Sequence, residues 1–131
     1  GLTPYQILIV ASLVEKEAST AADRAAVAAV IYNRLKKKMT LGLDVTVRYA
    51  VKKWGLEPLT DADLKVDSPY NTRVSKGLPP APICSPGVAS INAALNPADV
   101  DYLYFIADAE GKMSFTADYD EFLTIKKSLS Q

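Results

Sequence analysis

Two glutamates separated by a single lysine, Glu15 and Glu17, close the apolar stretch TPYQILIVASLVEKEA over residues 3–18. They are the chain's candidates for acid–base chemistry. A glutamic acid that donates a proton near neutral pH needs a raised pKa, and apolar surroundings raise it because the anion needs hydration more than the neutral acid does. If the stretch is helical, Val10, Leu13 and Val14 are the i−7, i−4 and i−3 neighbours of Glu17 and share its face. Glu15, at i−2, points to roughly the opposite side, so the two carboxylates cannot act together on one substrate bond. The structural alternative is an ion pair of one or both with Arg24 or Arg34, since such pairs also perturb acidities.

Other catalytic chemistries lack their residues. The chain has no histidine and one cysteine, Cys84, which excludes a serine or cysteine nucleophile with a histidine base, excludes an internal disulfide and argues against a zinc site. No metal and no cofactor are expected. Fifteen basic and fifteen acidic residues cancel, and the only basic run is Lys36-Lys37-Lys38. There is thus no electrostatic footprint for nucleic acid or an anionic membrane, and a neutral polymer or small ligand suits the surface better.

The Glu-bearing stretch must itself be well ordered to hold a carboxyl in place. Thr3 as N-cap, Pro4 at the first helical position and Gln6 closing a capping box predict a helix over Thr3–Ala18. At roughly 100° per residue its apolar positions cover nearly every side and leave only Ser12 and Lys16 as a polar strip, so the helix should be buried and central. Ser19 or Thr20 caps a second helix with Asp23 in its first turn and the lysine run at its C-terminal end, where cations favour the helix dipole. The very short connection puts Glu17 at a helix-to-helix corner able to open onto a groove.

Residues 39–49, MTLGLDVTVRY, alternate like a strand at first and then follow helical spacing. Dividing them at Asp44 predicts a short strand to Leu43, Asp44 as N-cap, and a helix ending before Gly55; a further short helix starts at Thr60. Residues 67–87, DSPYNTRVSKGLPPAPICSPG, form a proline-stiffened loop too long for an ordinary connection. Its Tyr70, Asn71, Thr72 and Arg73 suit sugar recognition and suit turn chemistry equally well. Ser85-Pro86 reads as the start of a helix that Asn96-Pro97 ends. Tyr102–Ala107 and Met113–Thr116 flank the turn residues Asp108 to Gly111 as a β-hairpin, and Asp118–Leu129 reads as a closing amphipathic helix. The fold class expected is α+β: a mainly helical single domain with a buried Glu-bearing helix and a small antiparallel β-hairpin. Apolar runs stop short of the about 18 residues of a membrane span, so a soluble fragment is expected.

Four blocks, ASLVEKEA, VAAVIYNRLKKKMTLGLDVTVRYA, SPYNTRVSKGLPPAPICSPG and NPADVDYLYFIAD, together resemble the catalytic domain of the endolytic murein (lytic) transglycosylases, the MltG or YceG-like family, over almost the whole of residues 1–131. The resemblance implies that Glu17, the second glutamate of the E-K-E motif, is the catalytic acid. It further implies that Asn33, Arg34, Asp44, Tyr70, Asn71 and Thr72 bind substrate or shape its groove. The reaction implied is cleavage of the bond between N-acetylmuramic acid (MurNAc) and N-acetylglucosamine (GlcNAc) in peptidoglycan strands, with Glu17 as acid and then base and a 1,6-anhydro ring as product. Cell-wall synthases are further candidate partners. Relatives carry an N-terminal membrane anchor and an intervening domain, so the resemblance implies an extracytoplasmic fragment of a membrane-anchored bacterial protein. The sequence departs from the family at Leu43-Asp44-Val45-Thr46, where many relatives read TDPT, and at Met113 and Phe122, where they carry histidines. Two alternatives stay open: a hydrolytic muramidase pairing Glu17 with Asp44, and a non-catalytic glycan-binding or scaffold domain of the cell-wall synthesis machinery.

Overall fold

A computed structural model describes residues 1–130. Its order is α1 (Pro4–Glu17), α2 (Ala21–Lys36), α3 (Asp44–Val51), α4 (Asp61–Leu64), α5 (Val88–Leu95), β1 (Tyr104–Ala107), β2 (Met113–Thr116) and α6 (Tyr119–Leu129), a mainly helical α+β arrangement. Among the described residues no helix is long and apolar enough to cross a membrane.

α1 forms where its caps direct. The Thr3 hydroxyl accepts from the Gln6 N–H while the Gln6 side chain accepts from the Thr3 N–H, satisfying two of the donors a helix start leaves free. Ile9 to Val14 are all buried, as a helix apolar on nearly every side requires. α2, capped by the Thr20 hydroxyl on the Asp23 N–H, buries Ala26 to Ile31, and its alanines let it approach α1 closely. Val10, Leu13 and Val14 meet Val27, Ile31, Leu41, Leu43 and Ile83 in one core. Ser12, placed on the polar strip, is fully buried: its hydroxyl donates to the Ile9 carbonyl and accepts from the Ile83 N–H, anchoring the long loop to α1.

Three local expectations fail for identifiable reasons. Residues 39–43 form no strand. The alternating burial is there, with Leu41 and Leu43 inside, but Gly42 takes a left-handed φ of 63°, which breaks an extended run. The segment's polar backbone groups go to Thr72 and Arg34 instead of to a strand. Asp44 is not the cap of α3 but its first residue, with Leu43 at the cap position, which frees the Asp44 carboxylate for another partner. Likewise α5 begins at Val88 after Gly87 rather than at Ser85-Pro86, and no side chain of its own caps it. The start of α5 is instead fastened to α1: Glu15 Oε1 accepts from the N–H of the cap residue Gly87 at 2.8 Å and from the Ser90 hydroxyl at 2.9 Å.

β1 and β2 pair antiparallel with Phe105 opposite Phe115. Asp108 Oδ1 accepts from the Glu110 and Lys112 N–H groups and closes the turn. The hairpin is fastened to α2, where Asn33 Nδ2 donates to the Val100 and Tyr102 carbonyls and Arg34 Nε donates to that of Leu103. α6 closes over it, with Phe122 stacked on Tyr104 at 5.3 Å between ring centroids.

Candidate active site

Glu17 is the last residue of α1, and it lines a cavity of about 290 Å³. The bend at Leu41 to Asp44 lines one side, Phe105 and Ile106 of β1 with Phe122 and Lys126 of α6 line another, and Arg34 and Arg73 add cationic groups. A second hollow of about 280 Å³ adjoins Glu17, between the end of α1 and the hairpin residues Ala107, Gly111 and Met113. Glu17 therefore sits where two hollows meet, a geometry that suits an extended chain lying across the carboxyl.

Burial raises the Glu17 carboxyl from its ordinary value of 4.5 to about 7, and the nearby Asp44 carboxylate adds to the rise. The residue keeps some accessible surface, so the carboxyl is crowded by protein yet reachable from the cavity. Its place at the end of α1 acts in the same direction, because the negative pole of the helix dipole disfavours an anion there. Among the described residues no arginine or lysine pairs with it. Glu15 has the opposite setting: the Gly87 N–H and the Ser90 hydroxyl favour its anion and hold its pKa below the usual carboxylate value. Two glutamates one residue apart are thus driven in opposite directions by what each faces, the pattern that separates an acid from a permanent anion. Neither forms the ion pair with Arg24 or Arg34 that the sequence left open.

Arg34 is committed to carbonyls. Besides Leu103 it reaches those of Thr40 and Leu41 through Nη1 at 3.0 and 3.1 Å, and its guanidinium lies 5.0 Å from the Tyr104 ring centroid. One side chain therefore joins α2, the 40–41 bend and the hairpin, three parts of the cavity surround. Asp44 lines the cavity with its carboxylate held by Arg73, Nε and Nη2 each at 2.9 Å from Oδ1. The pair is solvent-exposed and contributes at most about 1 kcal/mol of stability; its consequence is where the two charges lie.

The structure divides the remaining sequence candidates. Asn33 lies beneath the hairpin as a fastener and does not line the cavity. Asn71 and Thr72 are fully buried. Asn71 Nδ2 donates to the Leu64 and Val66 carbonyls and its Oδ1 accepts from the Arg73 N–H. The Thr72 hydroxyl accepts from the Leu43 N–H and bonds Thr46 at 2.8 Å. Both shape the groove by holding Arg73 and the 42–43 bend in place. Tyr70 packs on Tyr49 with ring centroids 4.8 Å apart, outside the cavity lining. The sequence did not single out Phe105, Ile106, Phe122 or Lys126 as site residues, and it named Arg73 among loop groups that suit sugar recognition and turn chemistry equally well, which left it off the list of substrate-binding residues. Phe122 and Lys126 share a face of α6 at i and i+4, but periodicity alone says nothing of what that face meets.

The profile of the YceG-like family matches residues 1–128. The chain is 48% identical over 117 residues to a Bacillus subtilis protein named endolytic murein transglycosylase, an overlap that covers 89% of this chain and 32% of that protein. It is 38% identical over 126 residues to a protein of the same name in Streptococcus pneumoniae, covering 92% of this chain and 23% of that one. The crystal structure of a putative YceG-like protein from Listeria monocytogenes superposes with a TM-score of 0.87 at 44% identity, covering 92% of this chain and 39% of that one. The chain thus spans about a third or less of the length of these curated relatives.

Proposed function

Because the chain belongs to the YceG-like family, we propose that it is the catalytic part of a peptidoglycan-cleaving lytic transglycosylase in which Glu17 is the single acid/base. The observation that carries the reading is the placement of the Glu17 carboxyl between two hollows, where burial raises its pKa to about 7. The name endolytic murein transglycosylase on relatives in two bacteria supports the substrate class.

The glycan strand lies across Glu17 with the bond between MurNAc and GlcNAc at the carboxyl. Neutral Glu17 donates its proton to the glycosidic oxygen as the C1–O bond breaks and positive charge develops on the muramic ring. The GlcNAc leaves with a free hydroxyl at that oxygen. Glu17, now a carboxylate, takes the proton of the muramic C6 hydroxyl while O6 bonds to C1, which closes the 1,6-anhydro ring and restores the neutral acid. No water is consumed. A group with a pKa of about 7 suits both halves, because its acid and base forms are both accessible near neutral pH. The internal hydroxyl wins over water by proximity.

Arg34 and Asp44 contact substrate or set the charge of the cavity, while Asn33, Asn71 and Thr72 hold the groove's shape and Tyr70 backs its α3 side. The protein acts on the extracytoplasmic face of the bacterial membrane, where peptidoglycan strands and cell-wall synthases are found, as part of a longer, membrane-anchored protein. Asp44 lining the same cavity as Glu17 favours one rival, a muramidase in which Asp44 activates water; its engagement by Arg73 weighs against that role.

Digestion of uncrosslinked glycan strands with mass spectrometry of the ends is the test. Fragments ending in 1,6-anhydro-MurNAc are expected, lost in Glu17→Gln and retained in Glu15→Gln. Reducing muramic ends would indicate the hydrolase, and binding without cleavage would indicate the scaffold.

A further inference from the structure

The single tryptophan of the chain, Trp54, is 65% exposed just beyond the end of α3. Its loop is held in place: Arg48 Nη1 donates to the carbonyls of Lys53, Gly55 and Glu57 at 3.3, 3.2 and 2.9 Å, and Lys53 is bonded to Asp63 at the start of α4. The indole meets Tyr49 edge-to-face, with centroids 5.7 Å apart and planes at 72°, and Tyr49 is in turn backed by Tyr70. Three aromatic rings and an arginine clamp thus hold a large apolar surface out in water, where leaving it exposed forgoes the stabilisation of burial.

Beside the indole is a narrow cleft of about 80 Å³ lined by Lys16, Val45, Arg48, Tyr49, Trp54 and Ile83. Its position relative to the Glu17 cavity follows from two shared elements. On α1, Lys16 lines the cleft and the next residue, Glu17, lines the cavity. On α3, Asp44 lines the cavity and Arg48, on the same face four residues on, lines the cleft; that is one turn, or about 6 Å along the axis. Cleft and cavity are therefore neighbouring parts of one surface.

We propose that Trp54, Tyr49 and the adjoining cleft form a saccharide-stacking subsite that holds an N-acetylated sugar of the glycan strand outside the pair of residues being cleaved. The inference rests on the function proposed above and adds to it a place where strand length is sensed. A pyranose ring presents a face of axial C–H groups that packs on an aromatic plane, whereas its rim of hydroxyls prefers water, so an exposed indole fits it better than a closed pocket does. The cleft is too small for a whole ring by comparison with ligand pockets of about 300 Å³ or more, but it admits a side group such as the acetamido methyl. The Lys16 ammonium, which has no ion-pair partner among the described residues, supplies donors to the acetamide carbonyl or a hydroxyl. A neutral, N-acetylated ring matches this combination of apolar plane, small slot and two cationic donors, Lys16 and the Arg48 that also clamps the loop.

Because Trp54 is the only indole, its fluorescence reports the subsite directly. The Glu17→Gln protein is titrated with chitohexaose, a linear β-1,4 oligomer of GlcNAc, and with free GlcNAc. A saturable change in emission with the hexamer at concentrations where the monosaccharide gives none is expected. Emission indifferent to the hexamer overturns the inference, whatever wild-type cleavage shows. In the otherwise wild-type chain, Trp54→Ala is expected to raise KM for long uncrosslinked strands about three- to tenfold, with Trp54→Phe restoring most of it; a loss confined to kcat overturns the inference. The two proposals fail separately: saturable binding at Trp54 with no anhydro product from wild type would sink the transglycosylase and leave a glycan-binding subsite.

Discussion

At the scale of the residue, the proposed chemistry rests on Glu17 being neutral when substrate arrives. With a pKa of about 7, kcat/KM for glycan cleavage should fall above about pH 7 as the acid loses its proton, and Glu17→Gln should lower turnover at least about 100-fold. Asp44 is the second cause of the raised value, so Asp44→Asn should move the alkaline limb to lower pH; carboxyl NMR titration of Glu17 would show the same shift, and an unchanged profile would remove Asp44 from the account. The raised pKa also bears on stability. Between about 4.5 and 7 the folded chain holds a proton that the unfolded chain has released, so the contribution of Glu17 to stability falls as pH rises through that window. Its full extent is about 3 kcal/mol, and less where water still reaches the carboxyl. Glu17→Gln should therefore stabilise the fold by about 1 to 3 kcal/mol at pH 8 and by almost nothing at pH 4, as urea unfolding at the two values would report. The face of Glu17 was legible in the sequence, since Val10, Leu13 and Val14 are all fully buried beside it. Its freedom from Arg24 and Arg34 was not, because spacing along one helix does not say where a cation on another helix spends its donors.

At the scale of the element, Glu15 shows why α5 starts where it does. A carboxylate from the end of α1 accepts the N–H of the cap residue Gly87, as the third-position acid of a capping box does, and through it and the Ser90 hydroxyl ties α5 to the turn that carries Glu17. Glu15→Ala should cost about 1 to 2 kcal/mol in thermal or urea denaturation. Its lowered pKa gives the opposite pH sign to Glu17: the contribution is present above the ordinary carboxylate value and is lost as pH falls below it. Helices whose caps lie in their own sequence, α1, α2, α4 and α6, start where Thr3, Thr20, Thr60 and Asp118 indicated. α3 and α5, whose cap positions are Leu43 and Gly87, did not. The false strand at 39–43 has a related cause: burial of alternate residues was correctly signalled, but the partners of its backbone lie in the 70–75 loop and on α2, beyond local reach.

At the scale of the whole molecule, the cavity is assembled from the end of α1, the 41–44 bend, Arg73, β1 and α6, and Asn33 and Arg34 hold these parts in register. Asn33→Ala removes two bonds to the carbonyls of Val100 and Tyr102. It should cost about 1 to 3 kcal/mol and speed amide hydrogen exchange in β1 and β2 more than in α1; uniform acceleration would show that the hairpin is not seated by this side chain. Composition, caps and hydrophobic period by themselves determined the helical character, the central buried helix, the hairpin and the glutamate with an apolar face, because each depends on residues within one or two turns of one another. Only the tertiary structure decided that the Glu15 carboxyl is driven below its ordinary pKa and that of Glu17 above it, that Asn71 and Thr72 support rather than line the cavity, and that Arg73, Phe122 and Lys126 enter it. Those outcomes depend on which groups from distant segments face one carboxyl, and desolvation and hydrogen bonding act through space without regard to separation along the chain.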